Sequence, residues 1–364
     1  MRKFFTGTAR VLAFLLVLVS AAAEAATIRV HYDTGFGNRI SLRGNKAPFN
    51  WTTGVNATWT TGNVWTYTWP DSAGDVELKP LLNDATWSVG ANYVVKAGTT
   101  VNIYPFFQQG RAGTLVKVNN FSSPQLGDTR TLRIFLPPSY SLNPLKRYPV
   151  LYMHDGQNLF EASTAFGGVE WQVDETINNL VNQGRMDEVI VVGVDNGGAD
   201  RIYEYTPCCD PQYGGGGANV YERFLLETVK PYVDQNYRTL PSNKNTALMG
   251  SSLGGLVSTY IGRRQPAKFS KVAGLSSSFW WNNQMLPREQ EAATTKVPVN
   301  FYIDAGTSSD GLPETTRMRD ALAADGYVQG ADLYYYVAQG AGHNEAAWAA
   351  RLYLPLTYLF PWQS

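Results

Sequence analysis

From about residue 131 onward, short apolar runs typical of buried strands alternate with amphipathic helical segments. The runs YPVLYMHD, VIVVGVDN and VPVNFYIDAG are rich in β-branched and aromatic residues, whereas VEWQVDETINNLVNQG and ETTRMRDALAADG repeat apolar residues at helical spacing. Strands that are apolar on both faces must be covered by helices on both sides. We therefore predict an α/β domain over residues 129–364, built on a doubly wound and mostly parallel sheet.

The chain before this domain has a different pattern. Within residues 27–107, segments such as TIRVHYD and VWTYTWP alternate apolar and polar residues, and Gly, Asn, Asp and Pro interrupt them at short intervals. This pattern predicts a small all-β sandwich domain. Residues 108–128 are predicted to be a linker that leads into the α/β domain.

The first 26 residues read as a secretory signal peptide. Arg2, Lys3 and Arg10 precede or flank the apolar run Val11–Val19, and Ala23-Glu24-Ala25 fits a small-x-small cleavage site. The apolar run is too short to span a bilayer, and no later run is longer. We therefore expect a protein without membrane partners that is secreted, either to the periplasm or outside the cell.

Composition excludes several classes of function. The chain has 30 basic and 30 acidic residues, which leaves none of the basic excess that a nucleic-acid partner requires. Its three histidines are scattered and its two cysteines, Cys208 and Cys209, are adjacent, so the sequence offers no ligand cluster for a metal. We expect no metal and no cofactor. The cysteines are either a strained vicinal disulfide or two free thiols.

The segment NTALMGSSLGGL contains a G-x-S-x-G pattern centred on Ser252. A predicted strand precedes this serine and a predicted helix follows it. In that context the pattern describes a nucleophile elbow, in which Gly250 and Gly254 leave room for a tight turn that exposes the hydroxyl. Ser252 is therefore predicted to be a nucleophile.

A serine nucleophile needs a base, and the chain has only His31, His154 and His343. The order of the triad on a sheet of this kind is serine, acid, histidine. Only His343 follows Ser252, in the segment AQGAGHNEAAW just past the last predicted strand. His343 is therefore predicted to be the base.

The acid should lie between these two residues, in a loop after a strand. The loop DAGTSSDGLPE contains three candidates, Asp304, Asp310 and Glu314. Asp304 stands at the strand tip, where a structural role is also open. We prefer Asp310, because a short side chain after Gly306-Thr307 can turn back toward His343, with Glu314 and then Asp304 as alternatives.

Further site residues follow from the same logic of loops at strand ends. The backbone N–H groups of Leu253 and Gln157 are predicted to bind the oxyanion, since one follows the nucleophile and the other follows an early strand. Loops after strands also gather around the substrate in open α/β sheets. On this basis the residues predicted to line the substrate cleft are Asp155, Tyr203, Trp280 and Trp281.

Several of these motifs together resemble the esterase D-like, or putative-esterase, family of α/β-hydrolases. The resemblance covers roughly residues 115–361 and is carried, in order, by YPVLYMHDGQNLF, RIYEYTP, VYERFLLETVKPYVDQNYRTL, NTALMGSSLGGLVSTY and GAGHNEAAW. The family includes feruloyl, acetyl xylan and enterochelin esterases and mycolyltransferases. Family members often carry the acid in a Gly-Thr-x-Asp or Gly-Thr-x-Glu turn, and GTSSD, which ends at Asp310, has one residue more.

The N-terminal block resembles starch-binding-type carbohydrate modules through SLRGNKAPFNWTTG, WTYTWP and VELKPLLNDATW. This resemblance implies a glucan-like polysaccharide as ligand, with Trp51 and Trp87 as stacking platforms. Lys79 and Asn83 are predicted to supply hydrogen bonds to the sugar hydroxyls. The alternative is that these tryptophans fill the sandwich core.

These observations predict a secreted serine carboxylic-ester hydrolase with a Ser-His-Asp triad. The expected substrates are acyl esters on or near carbohydrate, of the acetyl xylan or feruloyl type. Two alternatives remain at this stage. One is an acyltransferase that moves the acyl group to a sugar, and the other is a carbohydrate-binding protein with an inactive hydrolase domain.

Overall fold

The computed structural model describes residues 25–70 and 74–362. Residues 1–24, which hold most of the predicted signal peptide, lie outside the described part of the chain. Within the described residues, no helix is long and apolar enough to cross a membrane.

The N-terminal domain is a two-layered sandwich of short strands. One sheet has the order β4-β5-β1-β9, and the other has the order β3-β2-β6-β7 with β8 also paired to β6. Inward-facing residues of both sheets, among them Ile28, Trp69 and Leu78, form one apolar core. In the described part of this domain the strands are β1 Ala25–His31, β2 Ile40–Gly44, β3 Val55–Asn56, β4 Thr58–Thr60, β5 Val64–Pro70, β6 Val76–Leu82, β7 Thr86–Trp87, β8 Tyr93–Val95 and β9 Thr100–Ile103.

The second domain is built on an eight-stranded sheet. Its strand order is β10-β11-β13-β12-β16-β17-β18-β19, and a separate pair, β14-β15, lies outside it. The first two strands are antiparallel to their neighbours, and the other six run parallel to one another. The strands are β10 Thr114–Ser123, β11 Asp128–Leu136, β12 Val150–His154, β13 Ile190–Val194, β14 Cys209–Asp210, β15 Gly214–Gly215, β16 Thr246–Ser251, β17 Lys271–Leu275, β18 Asn300–Gly306 and β19 Leu333–Ala338.

Helices cover both faces of this sheet, and each face has its own apolar core. The α/β prediction for this part of the chain is therefore confirmed, because strands that are buried on both faces require a layer of helices on each face. The helices are α1 Val173–Asn182, α2 Arg201–Tyr205, α3 Ala218–Phe224, α4 Lys230–Asn236, α5 Leu253–Arg264, α6 Trp281–Glu291, α7 Leu312–Ala324, α8 Glu345–Arg351 and α9 Tyr353–Leu359.

The segment 108–128, predicted to be a linker, contributes strand β10 to the edge of the large sheet. As an edge strand it has one neighbour and a mostly solvated surface, so its sequence carries little of the apolar signal of a central strand. A polar edge strand of this kind is easily read as a connection.

The two domains are docked through shared apolar contacts. Val89 and Phe106, from the β domain, belong to one of the two cores of the α/β domain. In return, the Trp362 ring lies 5.5 Å from the Tyr93 ring, and its indole N–H donates to the Asn92 carbonyl at 3.2 Å. Since the domains bury residues of each other, we expect them to unfold together.

We expect Trp362→Ala to lower the free energy of unfolding by about 2 kcal/mol, less than the ~3–5 kcal/mol typical of a fully buried tryptophan. The reason is that the ring is only partly buried between the domains. Urea unfolding measures this change. Trp59→Ala removes a tryptophan that is 54 % exposed and serves as the control. Equal effects of the two substitutions would contradict the docking role of Trp362.

Candidate active site

Ser252 occupies a sharp turn between β16 and α5. Its backbone has φ 55° and ψ −124°, a conformation that residues other than glycine rarely adopt. A Cβ atom on Gly250 would lie 2.6 Å from the carbonyl carbon of Gly254, so the strand and the helix can approach this closely only because position 250 is glycine. The turn projects the Ser252 side chain from the end of the strand.

His343 lies in the loop between β19 and α8. Its Nδ1 atom is 2.7 Å from Oδ1 of Asp310, and its side chain is 38 % exposed. The Trp348 ring stands edge-on to the imidazole, with ring centroids 5.0 Å apart. One side of the imidazole therefore faces a buried carboxylate while the ring keeps an accessible face.

The Asp310 side chain is fully buried in the loop between β18 and α7. Its Oδ2 atom accepts hydrogen bonds from the Ser276 hydroxyl and from the Gly306 backbone N–H, each at 2.5 Å. Burial alone would raise the pKa of this carboxyl, but the bonds from His343, Ser276 and Gly306 outweigh it and hold the pKa below its ordinary value. Asp310 is therefore an ionised hydrogen-bond acceptor for the imidazole.

The alternative acids have other environments. Asp304 is buried on β18, where the Arg351 guanidinium donates to both of its carboxylate oxygens at 2.9 and 3.0 Å. Glu314 lies in the first turn of α7. Of the three carboxylates in this loop region, Asp310 is the one hydrogen-bonded to His343.

The other two histidines are placed differently. His154 ends β12, where burial lowers its pKa to about 4 and its Nδ1 atom is 2.9 Å from the Tyr221 hydroxyl. It is therefore a neutral ring inside the core. His31 lies on β1 of the N-terminal domain, with Nε2 2.8 Å from Oδ1 of Asn102.

Ser252 and His343 line one cleft, which has a volume of about 330 Å³. Gln157 and Asp155, from the turn after β12, form another part of its wall, and the exposed Phe166 ring stands at it as well. The cleft thus lies where several parallel strands end, as is usual for sites on open α/β sheets.

The predicted oxyanion donors both lie in the first turn of a helical segment. Leu253 is the first residue of α5, and Gln157 lies in a short 3₁₀ turn, Gly156–Asn158. The first N–H groups of a helix have no acceptor within it, so they are available to a ligand. Gly156 allows this turn, since a Cβ there would lie 2.7 Å from Oδ1 of Asp195.

Asp155 lines the cleft as predicted, but its carboxylate is already engaged. The Arg201 guanidinium donates to both oxygens at 2.7 and 2.9 Å, and the Asn196 amide donates to one of them at 2.6 Å. Burial raises the pKa of Asp155, but Arg201 and Asn196 more than offset this effect, so the net shift is downward. These partners belong to the site wall and escaped the sequence analysis, because no spacing in the chain links residue 155 to residue 201.

Three residues predicted to line the cleft lie elsewhere. Trp281 is 2 % exposed, and its indole N–H donates to the Cys208 carbonyl at 2.9 Å, so the prediction that it lines the cleft is wrong. Tyr203 and Trp280 are exposed but do not line the cleft. Tyr203 packs over Gly217, and the Trp280 ring meets the Tyr213 ring at 5.9 Å.

Sequence reasoning also did not single out the hydroxyl group of Ser278 beside Ser252. The Ser278 hydroxyl oxygen lies 3.2 Å from that of Ser252, and the Ser278 backbone N–H donates to the Ser252 carbonyl at 3.0 Å. The run of three serines that follows β17 was the available signal, because it stands at the carboxyl end of a strand.

The adjacent cysteines lie at the start of β14, where Cys208 is partly buried and Cys209 is exposed. Cys208 and Cys209 are free thiols in the structure, with their sulfur atoms 3.9 Å apart. Among the residues that the structure describes, no group of three or more His, Cys, Asp or Glu side chains is placed to hold a metal ion.

On the N-terminal domain, Trp51 and Trp87 are 39 % and 40 % exposed, and their ring centroids are 6.2 Å apart. The other two predicted sugar-binding residues are engaged within the domain. The Lys79 amine donates to the Gly90 carbonyl at 2.6 Å, and both ends of the Asn83 amide are hydrogen-bonded within the domain. Each of these bonds uses one donor hydrogen, so the Lys79 ammonium and the Asn83 amide each keep further N–H donors, and their role toward a sugar stays a prediction.

Arg43 is the polar side chain beside this tryptophan pair. Its guanidinium lies 5.4 Å from the Trp87 ring and donates to Oδ1 of Asp84 at 2.8 Å.

Comparisons with known proteins identify the α/β domain. A family model described as "Putative esterase" matches residues 123–358. The uncharacterized protein YbbA of Bacillus subtilis (strain 168) is 23 % identical over 246 residues, which span 64 % of this chain and 92 % of YbbA. An endo-1,4-beta-xylanase/feruloyl esterase of Xylanibacter ruminicola is 26 % identical over 256 residues, 68 % of this chain but only 31 % of that protein.

Solved structures share the fold. A ferulic acid esterase superposes with a TM-score of 0.54 at 22 % identity and covers 68 % of this chain and 98 % of its own. The enterobactin esterase FES of Shigella flexneri superposes with a TM-score of 0.56 at 15 % identity and covers 92 % of both chains.

The family match extends over well more than half of the sequence and contains the elbow, the buried carboxylate and the histidine loop. The chain therefore belongs to the putative esterase family and is a serine esterase of the α/β-hydrolase superfamily.

Proposed function

We propose that Ser252, His343 and Asp310 form the catalytic triad of a secreted carboxylic-ester hydrolase that acts on acyl esters on or near carbohydrate. The observation that carries the proposal is the 2.7 Å contact between His343 Nδ1 and Asp310, together with a serine that is held at a strand–helix elbow and lines the same cleft as His343.

The mechanism follows from this arrangement. Asp310 accepts the Nδ1–H of His343, which leaves Nε2 to take the proton of Ser252 as its oxygen attacks the ester carbonyl. The Leu253 and Gln157 N–H groups bind the oxyanion of the tetrahedral intermediate. His343 then returns the proton to the departing alcohol, and water releases the acyl group by the same steps.

Two observations support a carbohydrate-linked ester as substrate. The similar Xylanibacter ruminicola protein carries a feruloyl esterase name, and the N-terminal domain exposes the neighbouring rings of Trp51 and Trp87. Sugar rings have apolar faces that stack on exposed aromatic side chains. We infer that this domain holds a glucan-like polysaccharide and brings the α/β domain to esters nearby.

A second substrate class is favoured by other relatives. The ferri-bacillibactin esterase BesA of Bacillus subtilis is 24 % identical over 202 residues, 49 % of this chain and 66 % of BesA. A substrate panel should therefore compare p-nitrophenyl esters, acetylated and feruloylated glycans, and siderophore esters. Inclusion of free sugar acceptors separates hydrolysis from acyl transfer.

We expect Ser252→Ala and His343→Ala each to remove nearly all hydrolysis of p-nitrophenyl acetate without loss of the folded state, because each removes an indispensable reacting group. Initial rates and circular dichroism measure the two effects. His31→Ala is the matched control, since His31 lies on the other domain. Substantial turnover by purified Ser252→Ala, or fluorophosphonate labelling of another serine, would contradict the mechanism.

We expect Asp310→Asn to lower kcat on the scale of ~10⁴-fold, because an amide in place of the carboxylate favours the wrong tautomer of the histidine. Steady-state kinetics at neutral pH give the value. Glu314→Gln is the control and should retain near wild-type rates. The opposite pattern, with collapse in Glu314→Gln, would move the acid to Glu314.

We expect Trp51→Ala and Trp87→Ala to reduce retention on insoluble starch while hydrolysis of small soluble esters stays near normal. The triad lies on the other domain, so only polymer binding depends on these rings. Pull-down on starch, cellulose and xylan measures retention, with Trp59→Ala as an exposed-tryptophan control. A wild-type protein that none of the three polymers retains would remove the carbohydrate-binding half of the proposal.

A further inference from the structure

Ser276 stands at the centre of a buried hydrogen-bond network behind the triad. It directly follows β17, is 1 % exposed, and has a left-handed backbone with φ 45°. Its hydroxyl oxygen lies within hydrogen-bond distance of three groups, which are the Trp348 Nε1 atom at 2.8 Å, the Arg351 Nη2 atom at 2.7 Å and the Asp310 Oδ2 atom at 2.5 Å.

The direction of these bonds follows from what each group can do. An indole N–H and a guanidinium can only donate, so Trp348 and Arg351 occupy the two lone pairs of the Ser276 oxygen. The single hydroxyl hydrogen is then left for Asp310, whose ionised carboxylate can only accept. Ser276 therefore donates to Oδ2 of Asp310, and the direction of this hydrogen bond cannot reverse.

The hydrogen bonds at Asp310 in turn fix the position of the proton on His343. Oδ2 also accepts the Gly306 N–H, so both lone-pair positions of this oxygen are used and Oδ1 faces His343. An acceptor fixed at Nδ1 requires the proton to reside there. The neutral imidazole then presents its unprotonated Nε2 to the cleft, the form that a general base needs.

Arg351 is itself held rigidly. Its guanidinium makes a two-pronged bond to buried Asp304, which also accepts from the Tyr302 hydroxyl at 2.8 Å. Its Nη2 atom lies 3.6 Å from Oδ2 of Asp310. One buried cation, Arg351, thus stands between two buried carboxylates, Asp304 and Asp310, so the three groups together carry one net negative charge. Asp310 faces His343, and an imidazolium that forms there would neutralise this charge.

We propose that Ser276, with Trp348 and Arg351 behind it, is a positioning residue. By its hydrogen bond to Asp310 it keeps Oδ1 directed at His343 and thereby keeps the imidazole proton on Nδ1. The inference rests on the proposed function of Asp310 and His343. Ser276 touches no reacting atom, so its loss should affect how often the histidine is correctly oriented rather than how substrate binds.

We expect Ser276→Gly and Ser276→Ala to lower kcat by about 10- to 100-fold with KM within about threefold, as expected for a misplaced catalytic group. Glycine suits the φ of 45°, so this variant keeps the test valid if the alanine variant folds poorly. Ser277→Ala is the matched control. Its hydroxyl is also buried but has no hydrogen-bond partner among the described residues, so kcat should stay within about threefold.

The second readout is the downfield proton resonance of the His343 Nδ1–H, which reports the bond to Asp310 independently of turnover. We expect it in the wild type and in Ser277→Ala, and expect it to shift or broaden in Ser276→Gly. Unchanged kcat and an unchanged resonance in both Ser276 variants would overturn the inference, as would an equal loss in Ser277→Ala. A wild type with this resonance but no ester turnover would instead refute the proposed function.

Discussion

The site depends on the hydrogen bonds that the buried carboxylate of Asp310 accepts. Its partners come from three neighbouring parallel strands, because Ser276 follows β17, Gly306 ends β18 and His343 follows β19. A buried anion is tolerated only when donors surround it, and here the ends of adjacent strands supply them. The parallel sheet thereby brings three segments that are distant in the sequence together around one buried charge.

The turn at Ser252 depends on close packing rather than on charge. Gly250 lets the start of α5 lie against the end of β16, and Ser252 takes the strained conformation between the strand and the helix. The end of β17 and the loop after it hold this turn from the other side. The Ser252 N–H donates to the Leu275 carbonyl at 3.0 Å, and the Ser278 N–H donates to the Ser252 carbonyl at 3.0 Å. The same loop therefore contacts both Ser252 and, through Ser276, Asp310.

Two ion pairs flank Ser252, His343 and Asp310. Asp304 with Arg351 is buried, and Asp155 with Arg201 is partly buried. Removing such charges from water is costly, and a pair of this kind adds little net stability. Both pairs instead hold loops in place, one behind the acid and one at the turn that carries Gln157. Two-pronged guanidinium–carboxylate contacts suit that role, because they restrain both distance and orientation.

The sequence by itself determined the class of fold, since periodicity is a local signal. The G-x-S-x-G context likewise predicted Ser252 as the nucleophile, and His343 was predicted as the base because no other histidine follows Ser252. It narrowed the acid to three residues but favoured cleft positions for Trp281 and Tyr203 that the structure does not support. Only the tertiary structure decided which carboxylate reaches the histidine and which side chains, such as Ser276 and Arg351, surround it. Those contacts join residues more than 30 positions apart through the packing of parallel strands, and no local pattern in the chain encodes such distances.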